Sequence, residues 1–434
     1  MAKSGIAAAN LAHRLGARVL ISELSPRNKH SSAIKRLRRG IKYEFGANSE
    51  ILLDSDIIIK SPGVPSHIPI IKKAHHNNIP VIGEIEFANQ FNPSKNIIAI
   101  TGTNGKTTTT TLVGAIFKNS RLKTFVGGNI GHPLAETVLS LAPKTVVVLE
   151  MSSYQLEDAP TFHPHISAIL NITPDHMEHH GSMKNYIAAK SRIFANQSGK
   201  DYCILNYDDM VCRALANKCP SQVVFFSRLK KLKQGIWCDN NVAVMKYGKY
   251  KCSIPIDFKI PGNHNLENIM AAIAMTVVAG INPNVITKVV KGFEGVEHRI
   301  ELARELRGVR YINDSKGTNV DSTRVALESF NAPIWLILGG RDKGSPYAPL
   351  KPLIKKKVAG ILLIGEASPI IKQQLAGAAK MYNCQNMEGA LNFASKNAKP
   401  GSVVLLSPAC ASFDQYKNYE ARGRHFKSIV KSLR

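Results

Sequence analysis

Residues 97–111 carry the clearest chemical signature in the chain, Ile-Ile-Ala-Ile-Thr-Gly-Thr-Asn-Gly-Lys followed by five threonines. A short apolar run precedes Gly102 and Gly105, and a periodic apolar pattern follows the threonines. This order predicts a strand, a glycine loop and a helix start, where backbone N–H groups and the helix dipole face an anion. We expect Lys106 to reach terminal phosphates and Thr107 to hold Mg²⁺. The other residues of this predicted loop are Thr103, Asn104 and Thr108.

The spacing of this loop narrows the class of nucleotide protein. Gly102 and Gly105 stand closer together than the glycines of the general G-x-x-x-x-G-K-[ST] motif. We therefore expect a subset of nucleotide enzymes rather than phosphate-loop proteins at large. The alternative is a Gly-Asn turn followed by a threonine-rich helix start, which does not account for the lysine and the preceding strand together.

Two further strand ends carry groups that bind metal ions. Residues 146–149 are apolar and lead into Glu150, and Mg²⁺ is commonly held by a carboxylate beside a phosphate loop. The alternative for Glu150 is a helix cap. Residues 171–175 lead into His176, and Lys190 follows one predicted helix later. A Mg²⁺ role for a histidine is unusual because Mg²⁺ prefers oxygen ligands.

The next histidines, His179 and His180, invite a zinc interpretation. Zinc sites need imidazole or thiolate ligands at defined separations, and no partner motif accompanies these two residues in the sequence. The seven cysteines show no C-x-x-C spacing either, which is typical of reduced thiols in a cytoplasmic protein. We therefore expect His179 and His180 to be solvated loop residues.

Polar groups also mark a predicted helix start and a predicted domain start. Asparagines in residues 263–268 are good helix caps. An equally strong interpretation is that the amides of Asn265 and Asn268 contact adenine or phosphate. Further along, Arg299 carries a guanidinium, which can hold a phosphate through two parallel hydrogen bonds.

Three loops in the last third of the chain each follow a predicted strand. They are residues 313–319, residues 338–344 and residues 405–414. In the first loop, Asp314 and Lys316 suit ribose and phosphate contacts respectively. Each loop alone is compatible with a simple turn. Together they predict a ligand site along the carboxyl edge of a sheet, where open α/β folds bind ligands.

An α/β scaffold is needed to bring these strand ends together. At 434 residues the chain is too long for one core, so two to four domains are expected. Predicted linkers near residues 92–94 and 292–298 give domains at 1–91, 92–296 and 297–434. Residues 222–258 are polar and hairpin-like. The predicted strands are 18–22, 56–60, 80–82, 97–100, 145–149, 166–171, 203–206, 311–313, 334–338, 360–364 and 403–406.

The first domain begins in an unusual way. A dinucleotide-type fold opens with a strand and a glycine turn, whereas here a helix is predicted over residues 7–15 with no strand before it. We expect either that the first strand is missing or that the true start lies upstream.

Composition limits the remaining function classes. The chain has 44% apolar and 20% charged residues, as in an ordinary soluble globular protein. Its net charge of +26 is compatible with nucleic acid, a membrane surface or anionic small molecules as partners. The basic clusters are scattered over residues 35–39, 228–233 and 355–357, which favours a lysine-rich solvated surface. The longest apolar stretch, 269–281, is too short to cross a bilayer, so we expect a cytoplasmic protein.

Several of these segments together resemble the ATP-dependent Mur ligases of peptidoglycan synthesis. They are Gly-Thr-Asn-Gly-Lys-Thr at 102–107, Asn-Asp-Ser-Lys-Gly-Thr-Asn at 313–319 and Leu-Ser-Pro-Ala-Cys-Ala-Ser-Phe-Asp-Gln-Tyr at 406–416. The resemblance spans nearly the whole chain. It implies an α/β protein of three domains: a Rossmann-like UDP-binding domain without its first strand, a central P-loop ATPase domain and a C-terminal Rossmann-like domain.

Two segments are more specific than the phosphate loop. That loop alone would fit any Mur ligase or a folylpolyglutamate synthetase. In contrast, Glu-Met-Ser-Ser-Tyr-Gln-Leu-Glu at 150–157 and residues 407–419 resemble the branch that adds D-glutamate to UDP-N-acetylmuramoyl-L-alanine. The resemblance therefore implies ATP, two Mg²⁺ ions and an acyl-phosphate intermediate, in a cytoplasmic monomer with no nucleic-acid or membrane partner.

The resemblance also implies roles for individual residues. It puts Lys106 on the ATP phosphates, Thr107 and Glu150 at a first Mg²⁺, and His176 at a second. Lys190 matches a lysine that is carbamylated in the family, and a carbamate would turn this cation into an oxygen ligand.

Positions near the UDP-substrate and the reacting centre are Asn129 and His264. Nucleotide-side positions are Asn265, Asn268, Arg299, Asp314 and Lys316. D-Glutamate positions are Thr318, Lys343, Ser412 and Phe413, followed by Tyr419 where the family holds an aromatic, often Phe. Weaker candidates for the UDP group are Ser4, Pro62 and Gly63.

Two alternatives remain open from the sequence. Another Mur-type or folylpolyglutamate-type ligase would share the phosphate loop but use a different acceptor. A nucleic-acid-stimulated phosphate-loop ATPase is suggested by the net charge, although it would leave the three C-terminal strand-end loops without a role.

Overall fold

The computed structural model describes residues 1–257 and 262–433. They divide into two compact units, Met1–Ile256 with Glu267–Val290, and Asp257–Leu266 with Lys291–Arg434. Both units are built from strands alternating with helices, so the predicted α/β class is confirmed. The domain bounds 1–91, 92–296 and 297–434 stay a prediction.

The first part of the chain forms two small parallel sheets. Its elements are α1 (Lys3–Arg14), β1 (Leu20–Glu23), α2 (Ser31–Ile34), β2 (Lys42–Phe45), β3 (Ile58–Lys60), α3 (Pro69–His76), β4 (Val81–Gly83) and α4 (Glu84–Asn89). β1 pairs with β2, and β3 pairs with β4. Among the described residues, no strand joins the two pairs. α1 starts at Lys3, before the predicted start at residue 7. The prediction missed its first turn because the polar residues there carry no apolar pattern; burial begins only at Ile6.

The central part is organised around one large sheet. Its elements are β5 (Ile97–Thr101), α5 (Lys106–Asn119), β6 (Thr124–Gly128), α6 (Leu134–Thr137), β7 (Val146–Glu150), α7 (Ser153–Glu157), β8 (Ile166–Ile169), α8 (Met177–His180), α9 (Met183–Ala195), β9 (Tyr202–Asn206), α10 (Met210–Leu215), β10 (Gln222–Ser227), β11 (Gly235–Asp239), β12 (Val242–Tyr247), β13 (Tyr250–Pro255), α11 (Asn263–Val278) and α12 (Pro283–Gly292). The strand order is β13-β12-β11-β10-β9-β8-β5-β7-β6.

Parallel pairing positions the predicted phosphate loop. β5 lies between β7 and β8, and both pairings are parallel. All five residues of β5 and of β7 are buried, as expected for the interior of a parallel sheet covered on both faces. The carboxyl ends of β5, β7 and β8 therefore lie side by side, with the glycine loop, Glu150 and residues 170–176 at one edge.

The prediction for residues 222–258 was partly wrong. β11, β12 and β13 form an antiparallel meander, as a hairpin-like sequence suggests. β10, however, pairs in parallel with both β9 and β11, because its run of Val and Phe extends the buried sheet. Phe258, the last residue of that predicted segment, lies outside the described residues.

The last part forms a six-stranded sheet. Its elements are β14 (Glu301–Leu306), β15 (Val309–Asn313), α13 (Val320–Glu328), β16 (Ile334–Gly339), α14 (Lys351–Lys357), β17 (Val358–Ile364), α15 (Ser368–Gln374), β18 (Met381–Gln385), α16 (Met387–Asn397), β19 (Val403–Leu406) and α17 (Tyr419–Ser432). The order is β14-β15-β19-β16-β17-β18. Since β15, β19 and β16 are parallel neighbours, the three predicted strand-end loops share one edge.

None of the helices found in residues 1–257 and 262–433 has both the length and the apolar composition needed to cross a membrane.

A buried ion pair ties β3 to the central part. Nζ of Lys60 lies 2.8 Å from a carboxylate oxygen of Asp158 and donates to the carbonyl of Val64 at 2.8 Å. Both side chains are nearly inaccessible, with exposed fractions of 2% and 9%. The backbone of the same aspartate accepts a hydrogen bond from Gly83 at 2.7 Å. Removing the lysine would leave a carboxylate buried without its cation.

We therefore expect Lys60→Ala to lower the free energy of unfolding by about 3 kcal/mol, the usual result of removing one partner of a buried pair. Lys60→Ala/Asp158→Ala should lose less, since no charge is then left unpaired. The measurement is the midpoint of urea unfolding. Lys42→Ala, which removes an exposed lysine of β2, is the control. Equal losses in the single and double variants would contradict this account.

Candidate active site

The glycine loop between β5 and α5 is shaped by close packing. Gly105 immediately precedes α5 with a φ of +85°, a conformation that favours glycine. A Cβ there would lie 2.1 Å from Oδ1 of Asn268. Asn268, predicted as a nucleotide-side residue, therefore lies directly against the loop, and any side chain at position 105 would displace it.

Lys106 opens α5 with its ammonium folded back over the loop. Its Nζ donates to the carbonyls of Gly102 and Thr103, both at 2.7 Å. The loop is also held from the β8 side, where the backbone N–H of Asn104 donates to Oδ1 of Asn171 at 2.8 Å. The loop geometry is therefore formed before any anion arrives, with a cation at its centre.

Glu150, at the end of β7, is buried with an exposed fraction of 1%. One carboxylate oxygen accepts from Nδ2 of Asn129 at 2.7 Å. Within the described residues, its other oxygen, Oε2, is buried with no hydrogen-bond partner. A buried carboxylate with an unused oxygen fits a hard divalent cation such as Mg²⁺.

Lys190, on α9, is likewise buried with an exposed fraction of 1%. Nζ donates to the carbonyl of Gly102 at 2.9 Å and lies 4.6 Å from the ring centre of Tyr186. Burial, helped by the nearby ammonium of Lys106, holds the pKa of Lys190 well below its ordinary value. Burial therefore shifts the equilibrium toward the neutral amine, which is the nucleophilic form.

His176 is placed by an unusual backbone conformation. It precedes α8 with a φ of +56°, a region that costs non-glycine residues free energy and is often found at functional sites. Its ring nitrogens lie 3.6 Å from a carboxylate oxygen of Asp175 and 3.7 Å from one of Glu178. The ring meets the edge of Tyr154 at 5.1 Å.

A cavity of about 480 Å³ brings many of these groups together. Of the sequence-predicted residues, it is lined by Pro62, Gly63, Lys106, Asn129, His176 and Lys190. It is also lined by residues that the sequence did not single out for a role, Pro65, His67, Ser152, Ser153, Tyr154, Asp175, Glu178, His179 and Tyr186. Glu150, Thr107 and Ser4 are not on its surface. Ser4 is in the first turn of α1, where a Cβ on Gly5 would lie 3.1 Å from Oγ of Ser61.

The expectation of two solvated histidines was wrong. His180 is buried with an exposed fraction of 4%, and burial lowers the pKa of its ring below the ordinary value. His179 and His180 both contact the carboxylate of Glu157. The partner that the sequence motif lacked comes from α7, a separate segment of the chain.

In the second unit, Asp314 is the centre of the strand-end loops. Its carboxylate is buried and accepts from Oγ of Ser407 at 2.8 Å. Arg299 lies 3.4 Å away. Burial raises the pKa of Asp314 despite that guanidinium. The loops after β15 and β19 are therefore joined by a hydrogen bond, and Arg299 belongs to the same cluster.

The other predicted residues of this unit vary in exposure. Nζ of Lys316 lies 5.6 Å from the ring centre of Tyr419, and Nζ of exposed Lys343 lies 3.4 Å from the hydroxyl of Thr318. Ser412 is buried, whereas Phe413 has an exposed fraction of 64%. An exposed aromatic next to a polar cluster is available to contact a ligand.

His264 and Asn265, near the start of α11, belong to the same unit. Burial, with a smaller contribution from Arg299, lowers the pKa of His264 to about 3, so the imidazole is neutral at neutral pH. Nε2 of His264 is buried with no hydrogen-bond partner among the described residues. Asn265 is buried with an exposed fraction of 2%.

Arg422, on α17, was not predicted from the sequence. Its guanidinium is buried and donates to the hydroxyl and carbonyl of Ser315 at 3.0 and 2.9 Å. It also donates to the carbonyls of Cys410 and Ala411. Burial lowers the pKa of Arg422 to about 10, so it stays charged. Arg422 therefore fixes two of the predicted ligand loops, and no local motif around it signals this.

Three family models match successive parts of the chain. The MurD-like N-terminal domain of Mur ligases matches residues 1–83, the Mur ligase middle domain residues 100–276, and the glutamate ligase domain of Mur ligases residues 298–410. The UDP-N-acetylmuramoylalanine–D-glutamate ligase of Clostridioides difficile strain 630 is 43% identical over 439 residues, covering 100% of this chain and 97% of that protein.

Solved structures agree on the fold. The MurC UDP-N-acetylmuramate–alanine ligase of Thermotoga maritima gives a TM-score of 0.61 at 22% identity, covering 99% of this chain and 97% of its own. The MurF ligase of Thermotoga maritima in complex with ADP gives a TM-score of 0.63 at 16% identity, covering 96% of each chain.

The buried guanidinium leads to a stability prediction. Arg422→Ala would remove the guanidinium donor from the carbonyls of Ser315 and Cys410, whereas the carbonyl of Ala411 would keep the N–H of Arg341. We expect a loss of about 3 kcal/mol in the free energy of unfolding. Arg422→Lys should recover only part, since an ammonium cannot reproduce the planar fork. Exposed Arg424→Ala, two positions along the same helix, is the control. Calorimetry of thermal unfolding gives the measurement. Equal melting temperatures for Arg422→Ala and Arg424→Ala would contradict the stabilising role of Arg422.

Proposed function

This chain belongs to the Mur ligase family, and from that membership and its site geometry we propose that it uses ATP to join D-glutamate to UDP-N-acetylmuramoyl-L-alanine. One observation carries the proposal: Lys106, Asn129, His176 and Lys190 line one cavity beside a glycine loop. A phosphate-binding lysine, a buried amine and an imidazole in one cavity suit phosphoryl transfer to a carboxylate better than simple nucleotide storage.

The reaction has two steps in this proposal. The alanyl carboxylate attacks the γ-phosphorus of ATP, forming an acyl phosphate and releasing ADP. The amine of D-glutamate then attacks the acyl carbon, and inorganic phosphate leaves from the tetrahedral intermediate. The chain contributes mainly by positioning and by neutralising charge on the transferred group.

Lys106 and the backbone N–H groups of residues 102–108 hold the phosphates. In the free protein Lys106 donates to two loop carbonyls, so we expect it to exchange these partners for phosphate oxygens. Asn129 orients Glu150 through the hydrogen bond between their side chains. For His264, kept neutral by burial, we propose a role as a hydrogen-bonding group rather than as a cation in the reaction.

Two Mg²⁺ ions fit the donor groups of the site. We assign one to Thr107 and Glu150, and a second to His176 and a carbamylated Lys190. When bound, the ions supply positive charge to the phosphate oxygens. The unused buried oxygen of Glu150 and the depressed pKa of Lys190 support this assignment, because a neutral lysine can react with CO₂ to give an oxygen ligand.

The remaining site residues are assigned by substrate. For the nucleotide we propose Asn265, Asn268, Arg299, Asp314 and Lys316. For D-glutamate we propose Thr318, Lys343, Ser412 and Phe413, with Tyr419 close to them. For the UDP group we propose Ser4, Pro62 and Gly63, of which the last two line the cavity. We further propose that the enzyme acts as a cytoplasmic monomer.

The first test is phosphate release that depends on the acceptor. With ATP, Mg²⁺ and UDP-N-acetylmuramoyl-L-alanine, D-glutamate should stimulate release, whereas L-glutamate, L-lysine, meso-diaminopimelate and a folate with L-glutamate should not. Lys106→Ala should lower kcat/KM by about 100-fold or more, as for loss of one transition-state charge contact. Lys118→Ala, exposed at the far end of the same helix, should leave it unchanged. Near-normal turnover in Lys106→Ala would overturn the mechanism.

The second test addresses carbamylation. Lys190→Ala should lose most activity, and short carboxylic acids such as formate or acetate should restore part of it. The native enzyme should slow in bicarbonate-free buffer and show a carbamate signal by NMR with ¹³C-bicarbonate. Lys184→Ala, exposed on the same helix, should be neither impaired nor stimulated by formate. Absence of the rescue, the slowing and the signal would exclude the carbamate.

A further inference from the structure

Three side chains near the cavity form a compact cluster that the proposed reaction does not use. Nε2 of His179 lies 2.8 Å from one carboxylate oxygen of Glu157, and Nδ1 of His180 lies 2.9 Å from the other. All three ligand atoms lie within 4.8 Å of one another. The two imidazole planes are nearly perpendicular, at 87°, so both nitrogens point toward the carboxylate from different directions.

The state of His180 indicates that the cluster is more than an ion pair. Its ring is buried, yet Nδ1 has no partner of hydrogen-bond geometry among the described residues, although Glu157 is close. The other ring nitrogen, Nε2, lies 2.9 Å from Oγ of Ser153. A metal-binding histidine commonly has one nitrogen on the metal and the other hydrogen-bonded to a polar group. His180 already has this arrangement of partners.

We propose that Glu157, His179 and His180 form a binding site for a divalent transition metal of the Zn²⁺ class. Two imidazoles and one carboxylate are an established ligand set for zinc, with water or another ligand in the fourth position. Bonds of about 2.0–2.1 Å in tetrahedral geometry put ligand atoms roughly 3.3 Å apart. The contacts at 2.8 and 2.9 Å involve different oxygens of Glu157. One of these oxygens and the two nitrogens, which lie within 4.8 Å of one another, would therefore have to move to that spacing when the ion binds.

The ligand chemistry separates this site from the proposed Mg²⁺ sites. Imidazole nitrogens favour zinc and similar metals, whereas Mg²⁺ favours carboxylate, carbonyl and water oxygens. The two sites share no ligand. The side chains of Glu157 and His179 are partly exposed, with exposed fractions of 27% and 14%. This exposure leaves a route for the ion to enter.

Metal binding there would have a local structural consequence. Glu157 ends α7, and the two histidines end α8. The ion would therefore join the ends of two short helices. His176 immediately precedes α8, and Tyr154 contacts the rings of all three histidines. An occupied site would therefore restrict the position of His176, and one of its ligands, His179, lines the cavity itself.

Co²⁺ is a suitable probe because its visible absorption reports coordination. Chelator-treated full-length protein, without nucleotide and with millimolar Mg²⁺, should bind about one Co²⁺, and Zn²⁺ should displace it. Glu157→Gln and His179→Gln should each weaken binding by about tenfold or more. His163→Gln removes a histidine paired with a different carboxylate, that of Asp201, and should bind Co²⁺ as the native chain does.

One further variant and a stability measurement make the outcome decisive. Glu150→Gln should retain the Co²⁺ spectrum, and its loss there but not in Glu157→Gln would overturn the proposal in favour of the Mg²⁺ site. Melting curves without metal establish that each variant folds, and Zn²⁺ should raise the melting temperature of the native chain but not of His179→Gln. No Co²⁺ binding under these conditions, or equal binding in all variants, would also overturn it.

Discussion

Parallel pairing of β5 with β7 on one side and β8 on the other is the constraint on which the site depends. Parallel strands end at the same edge of a sheet, so three segments far apart in sequence deliver their following residues to one place. The glycine loop follows β5, Glu150 ends β7, and the segment containing His176 follows β8. A change of strand order would separate these groups even if each local motif were unchanged.

This edge concentrates charges that burial would otherwise disfavour. Lys190 and Lys106 both donate to the carbonyl of Gly102, so two amine-bearing side chains converge on one backbone oxygen. Glu150 is buried nearby, and one of its oxygens has no hydrogen-bond partner among the described residues. Burial first, and then repulsion from the ammonium of Lys106, lower the pKa of Lys190. A polyanionic ligand with its metal ions would relieve this arrangement, whereas an apolar ligand would not.

Local motifs predicted the strand ends and the helix start well where strand, loop and helix follow one another directly. The phosphate loop and Glu150 were found because apolar runs and glycines mark strand ends. β14 and β18 were missed because their mixed, half-exposed residues lack the continuous apolar pattern of buried strands. The hydrogen bonds of Arg422 link α17 to loops more than a hundred residues earlier as well as to nearby ones. Such long-range partners leave no spacing in the sequence that could reveal them.

The short helix α8 shows how much depends on such partners. Its four residues follow a histidine in left-handed conformation and end with two more. The sequence separated His176 from His179 and His180 but did not reveal the carboxylate that contacts the last two. The ring nitrogens of His176 lie 3.6 and 3.7 Å from carboxylate oxygens of Asp175 and Glu178, and its backbone N–H donates to Asp175 at 3.0 Å. Glu157 contacts His179 and His180 directly. Two imidazoles on one carboxylate therefore make a softer ligand set, and ligand type alone separates the two ends of a single helical turn.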